Sequence, residues 1–164
     1  MRASVATALI LAVLQPCGAL DKVAWPLPSA RLTYPMALAY APSSEDLYVA
    51  AAGDHRVMLL RAAGRQGASS LPATAVAGDG SAGFAGDGGV ATAARLNAPY
   101  GVAVRLAREQ GVASVEVYIA DTHKNRVRCG DGVTGVIQTV AGNGERGWNG
   151  DNVEGVAASL NRYG

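Results

Sequence analysis

Residues 77–88, AGDGSAGFAGDG, return as residues 141–152, AGNGERGWNGDN, 64 positions later. Leu32, Leu96 and Leu160 stand at the same 64-residue spacing, opening LTYPMALAY, LNAPYGVAV and LNRYG. A period of tens of residues means one supersecondary unit stacked on copies of itself, because a single unit cannot bury its own apolar face. This points to a binding surface built on a repeat array before it points to a reaction vessel.

Composition agrees with short strands and tight turns. Hydrophobic residues make up 49% of the 164 residues but aromatics only 5%, and 21 are Gly. Small apolar residues with abundant Gly suit strands joined by turns rather than large packed helices. The net charge is +1 and the arginines are scattered singly, so the concentrated basic face that nucleic acid requires is missing.

The first 19 residues read as a secretory signal. Arg2 precedes an apolar run from Val5 to Leu14, Gln15-Pro16 breaks it, and Cys17-Gly18-Ala19 supplies small residues for an exit site. The run is too short to span a bilayer, which takes about 20 apolar residues. Cleavage after Ala19 starts the mature chain near Leu20 and leaves Cys129 as its one cysteine, without an internal disulfide. Cys129 lies in an alternating segment and reads as a small buried hydrophobe. No Asn-x-Ser/Thr acceptor occurs, and N-glycosylation is not expected.

Residues 20–30 form a linker, and two units follow at about 32–95 and 96–159, with a third opening at 160. In the second unit, strands are predicted at 101–104, 115–120, 126–129 and 136–141, where Val, Ile, Tyr and Thr dominate. The first unit offers 36–40, 46–50, 56–60 and 74–77. Turn-formers separate the second unit's strands at 108–111, 121–125 and 130–132. The expected fold is all-β: an open, partial β-propeller of four-stranded antiparallel blades. Between Val104 and Tyr118 the second unit has six residues more than the first has between Tyr40 and Tyr48. This is the expected site of a longer loop.

The runs VAGDGSAGFAGDGGVATAARLNAPYGVAV, VYIADTHKNRVR and GVIQTVAGNG closely resemble the NHL repeat, the sheet unit of NHL-type β-propellers, over about residues 31–164. The family favours Asp-Thr-x-Asn-His-Arg, where this chain has Asp121 to Arg126 in one unit and Ala51 to Arg56 in the other. The first keeps Asp-Thr and Arg, and the second keeps His55-Arg56 but loses the Asp. Such propellers usually close with about six blades, within the general range of 4–8. Two units and the opening of a third therefore imply a piece of a larger array. Open blade edges imply association.

The residues that look like chemistry read as structural. Gly78 to Gly83 spells G-x-G-x-x-G, but Phe84 to Gly89 cannot begin the helix that a dinucleotide site needs. Asp79, Asp87 and Asp151 sit among glycines, yet calcium takes six to eight oxygens from a defined loop. Asn143 also replaces Asp79 in the second unit. A helical turn at 90–95 is expected, with Asp87 near its N-terminus. His55 and His123 are the only histidines, short of the three ligands of catalytic zinc, and no Ser/His/Asp nucleophile turn is present. Asp121 and Arg126 are expected to pair or to bond backbone across a turn. Asp87, Asp121, Arg126, Asp151, His55 and Arg56 are thus structural repeat residues, and no cofactor or metal is expected.

The function that follows is a secreted or endomembrane-lumenal scaffold binding a protein or peptide on the loop face. There is no nucleic-acid partner and no membrane span in this chain. The alternatives are a piece of a propeller enzyme, a metal-dependent lyase or hydrolase, or of a receptor's extracellular sensor.

Overall fold

The structure, a computed structural model, describes residues 27–28, 31–61, 70–71, 73–109 and 112–161. The leader at 1–19, Cys17 included, and most of the linker lie outside the described residues.

Strand β1 (Leu27–Pro28) pairs in parallel with β5 (Ser70–Leu71). The other named strands among the described residues fall in two four-stranded sheets. The first contains β2 (Pro35–Ala41), β3 (Asp46–Ala51), β4 (Arg56–Leu60) and β6 (Ala73–Ala77). The second contains β7 (Pro99–Glu109), β8 (Val112–Asp121), β9 (Arg126–Gly130) and β10 (Ile137–Ala141). Each is an antiparallel meander with sequential neighbours, β2-β3-β4-β6 and β7-β8-β9-β10. The first strand of each begins with a Pro and a register shift, at Pro35/Ala37 and Pro99/Gly101. Proline, which cannot donate to a ladder, is tolerated at a strand's first residue.

The longer loop expected after Val104 is instead longer strand. The β7–β8 ladder runs from Pro99↔Asp121 out to Glu109↔Val112, so residues 108–109 and 112 belong to the hairpin's arms. The alternation that builds the earlier strands continues through Arg105, Leu106 and Ala107 opposite Glu116, Val115 and Ser114. A cross-strand Arg105–Glu116 bidentate pair holds the extension, at 2.9 and 2.8 Å.

Period-2 alternation gives each sheet two faces. The face of the first sheet with Tyr48, Val57, Leu59 and Ala77 packs on the face of the second with Val117, Ile119 and Ile137. Strand β7 lies across β2 and β3. Val57, Leu96, Ile119 and Ile137 are fully buried, and each aliphatic side chain so buried contributes roughly 1.5–3 kcal/mol. Leu47, Val49 and Leu60 form a second cluster on the opposite face of the first sheet.

The Gly-Asp segment between β6 and β7 ties the sheets together. Gly88 N–H donates to the Ile137 carbonyl at 2.8 Å, and Ile137 N–H donates to the Gly89 carbonyl at 3.0 Å. The first unit's loop therefore pairs with the second sheet's last strand. The helical turn expected at 90–95 is a single 3₁₀ turn, Ala91–Ala93, with no side-chain cap.

Candidate functional site

Arg56 and Arg126 open the third strands of the two sheets, and each lies under a glycine loop. Arg56 donates to the Asp79 carbonyl at 2.6 Å, and Arg126 to the Asn143 carbonyl, also at 2.6 Å. Gly80 and Gly144 sit over these guanidiniums with φ of +95° and +94°. A side chain there would meet the Arg directly. The G-x-G pattern thus closes over a cation from its own chain rather than over a phosphate.

Asp87 caps nothing. It accepts hydrogen bonds from the Arg128 guanidinium and from the Thr139 hydroxyl, the latter at 2.7 Å. Arg128 is fully buried and also donates to the Arg95 and Ala85 carbonyls, at 3.0 and 3.1 Å. Phe84 lies over both arginines, with its ring centroid 3.9 Å from Arg126 and 5.1 Å from Arg128. Such cation–π contacts are worth about 0.5–2 kcal/mol. Asp87, Phe84 and Arg128 therefore latch the loop to the second sheet.

Asp121 and Arg126 do not bond each other. The Asp121 carboxylate accepts from the Asn97 N–H at 2.7 Å, and Arg126 bonds the Asn143 and Lys124 carbonyls. The matching bond in the first unit is Thr33 N–H to Asp54 at 2.8 Å. Asp54 stands three residues beyond Ala51, the position that matches Asp121. Asp121 is fully buried and its Oδ2 has no hydrogen-bond partner. Burial pushes its carboxyl up to about 6, against the pull of the Asn97 bond and of Arg128. Asp79 goes the other way: the Ser81 backbone bond holds it below the usual carboxylate range. Asp79 also pairs with Arg95 at 3.5 Å. Asp151 is exposed.

His55 is placed by its left-handed backbone, φ 51°, and its Nδ1 accepts from the Ala98 N–H at 3.1 Å. This joins the first unit's turn to the entry of the second sheet. His55 and His123, from different positions of the repeat, come to one cleft of about 310 Å³ between the starts of β2 and β7. Tyr34, Met36 and Tyr100 line it and are 75%, 51% and 39% exposed. The Tyr100 and His123 rings stack at 5.5 Å, tilted by 55°. Asn97 adds an amide to the wall.

On sequence alone, His55 reads as a structural repeat residue, His123 takes no role, and Tyr34, Met36 and Tyr100 are not named. Their signal was the apolar or aromatic residue on either side of Pro35, and after Pro99, at the repeat's entry. A larger groove of about 470 Å³ lies between the β2–β3 turn and the β7–β8 hairpin. Its wall mixes Ser43, Ser44 and Ser114 with Asp46, Tyr48, Leu106 and Val115, and it has no histidine. Among the described residues no three His, Cys, Asp or Glu gather as a metal site, and no helix is long and apolar enough to cross a membrane.

No family model matches the chain, and no curated protein matches it. Solved structures do. An auxiliary nutrient binding protein from Bacteroides thetaiotaomicron VPI-5482 is similar over 76% of this chain, with a TM-score of 0.60 and 21% identity. An auxiliary nutrient binding protein from Bacteroides ovatus ATCC 8483 is similar over the same share, with a TM-score of 0.53 and 21% identity. The match takes up 30% and 29% of those chains, so this chain spans under a third of their length. At such identity the likeness is one of fold.

Proposed function

We propose that the chain is a segment of a secreted or lumenal NHL-type β-propeller that acts as a binding module. Its ligand is a peptide or protein segment taken in the cleft of Tyr34, Met36, Tyr100, His55 and His123. The observation that carries this reading is the exposure of three large apolar side chains around one cleft. Aromatic anchors beside a few polar groups are what recognition sites use. Two facing four-stranded meanders, with the loop of one sewn into the next, support the propeller reading. The nutrient-binding names of the similar structures favour a binding role and supply a second reading, a small organic nutrient in the same cleft.

Panning a phage-displayed random peptide library on the immobilised chain tests the first reading. Enriched peptides should carry an apolar or aromatic anchor and lose about tenfold or more of their affinity, or 1.4 kcal/mol, on Tyr100→Ala or Tyr34→Ala. Peptides that bind both variants as well as the parent chain would sink it. A thermal-shift panel of sugars, amino acids and vitamins tests the second, with the same two variants as controls.

A further inference from the structure

One ring stands over the entry of each sheet, and the two units supply it from opposite sides. Tyr34 and Ala98 correspond, 64 positions apart, and Gly53 and His123 correspond, 70 apart. Both entry residues have a left-handed backbone, with φ of 46° and 49°. Both turns are held alike: Gly53 N–H donates to the Thr33 carbonyl at 3.0 Å and His123 N–H to the Asn97 carbonyl at 3.1 Å. In the first unit the ring is that of Tyr34, so close over Gly53 that a Cβ there would meet its Cδ2 at 2.7 Å. In the second the entry residue is Ala98, and the turn brings the His123 ring against Tyr100. The exposed rings of the cleft are thus seated on backbone or on one another, which lowers the entropy lost when a ligand fixes them.

The polar groups of the cleft are as selective as its rings. Among the described residues no Asp, Glu, Lys or Arg lines it. His55 Nδ1 accepts from the Ala98 N–H, so the neutral imidazole carries its proton on Nε2. Nε2 has no hydrogen bond among the described residues. His55 therefore enters the cleft as a fixed donor, not as a base or a metal ligand. The Asn97 amide and the Tyr34 and Tyr100 hydroxyls make no hydrogen bond among the described residues either, and all three can donate. Pro35 and Pro99 begin the two edge strands beside the cleft. The backbone there lacks the N–H groups that an added strand would need.

From this we infer that the cleft takes a proline-rich segment in the polyproline II conformation. The inference rests on the peptide reading of the cleft and narrows it. Such a segment is uncharged, its carbonyls are unpaired acceptors, and its prolines bring no N–H, so it complements an uncharged cleft of donors. A helix spends its carbonyls internally. Pyrrolidine rings pack in aromatic-lined grooves, and the segment is ordered before it binds.

Fluorescence anisotropy of fluorescein-labelled decaproline with the full chain tests this, beside a labelled Gly-Ser peptide of the same length. Decaproline should bind saturably and at least about tenfold more tightly than the Gly-Ser peptide. Tyr100→Ala should weaken it by about tenfold or more. His55→Asn installs the residue that the second unit carries at the matching left-handed position, Asn125, so the turn is kept while the Nε2–H is lost. Decaproline should then bind about threefold to tenfold more weakly. In the ¹⁵N-histidine spectrum the His55 Nε2 resonance should move as decaproline is added, which a purely structural His55 would not show. Decaproline binding no tighter than the Gly-Ser peptide, or equally well to Tyr100→Ala, would overturn the inference. The peptides panned from the random library separate the two levels. Cleft-dependent peptides that lack proline and are not displaced by decaproline overturn the polyproline assignment alone, whereas the recovery of no cleft-dependent peptide overturns the peptide reading with it.

Discussion

Asp121 takes the backbone N–H of Asn97, 24 residues earlier in the chain, at 2.7 Å, and holds the entry of the second sheet to the end of its second strand. The carboxyl is fully buried and burial raises it to about 6. The folded state thus binds a proton that the unfolded chain has released. Asp121's contribution to stability is present in full below about pH 4 and is lost as pH rises through about 6. A displacement of this size corresponds to something on the order of 3 kcal/mol. Asp121→Asn keeps an acceptor for Asn97 and removes the titration. Denaturant melts from pH 4 to 7 should therefore show the parent chain losing stability relative to the Asn variant. Parallel curves for the two proteins would refute the assignment.

The Asp87–Arg128 pair predicts an asymmetric response to substitution. Asp87→Ala leaves the buried Arg128 guanidinium with the Ala85 and Arg95 carbonyls and the Phe84 ring. It should cost about 1.5–3 kcal/mol, the worth of hydrogen bonds to a charged group, because the Asp87 end of the pair is open to water. Arg128→Met should cost less. Met fills the volume and is the residue the first sheet carries at the matching position, Met58, while Asp87, whose side chain is 37% exposed, turns to water. Chemical denaturation of both single variants and the double variant measures the coupling. Equal losses for the two single variants would contradict the burial argument.

Two four-stranded meanders were legible in the sequence because short apolar runs bounded by turn-formers mark β3, β4, β6, β9 and β10 to within a residue of their ends. The β7–β8 extension was not, because Arg108 to Gly111 reads locally as a turn and only the partner strand shows that the ladder continues. The latch was invisible for a similar reason: Asp87 and Arg128 are 41 positions apart, and nothing local marks a buried Arg in an alternating strand. The exchange of Asp79 for Asn143 is explained by its neighbours. The ion pair Asp79–Arg95 becomes a hydrogen bond between Asn143 and Ser159 at 3.1 Å, so the two loops keep one shape with different chemistry. The cleft needed the fold, since His55 and His123 meet only once the sheets pack.

The glycines of the loops should divide into two classes. Gly80 and Gly88 both have positive φ, +95° and +77°, but a Cβ on Gly80 would lie 2.6 Å from the Arg56 guanidinium, whereas nothing stands within 4 Å of Gly88. Gly88→Ala should cost only the backbone term, about 1–2 kcal/mol. Gly80→Ala should cost more, because Arg56 must leave the Asp79 carbonyl. Thermal melts of the two variants check this, and a smaller loss at Gly80 would contradict the cradle.

The last prediction concerns the carboxylate that moved. Asp54, in the turn after β3, bonds the Thr33 N–H as Asp121 bonds the matching Asn97 N–H, and Ala51 fills the position that Asp121 holds in the other sheet. Asp54→Ala should therefore cost about 1 kcal/mol, the usual net worth of such a bond, and somewhat more if the N–H is left dry. Adding Ala51→Asp restores the second unit's arrangement and should recover part of that loss. Ala51 is fully buried, so the new carboxyl meets the same desolvation as Asp121 and its pKa should rise likewise. Rescue should thus be larger at pH 5 than at pH 8. Stability measured at both pH values for the parent, the single variant and the double variant decides the matter. A double variant no better than Asp54→Ala at pH 5 would show that the two sites are not equivalent.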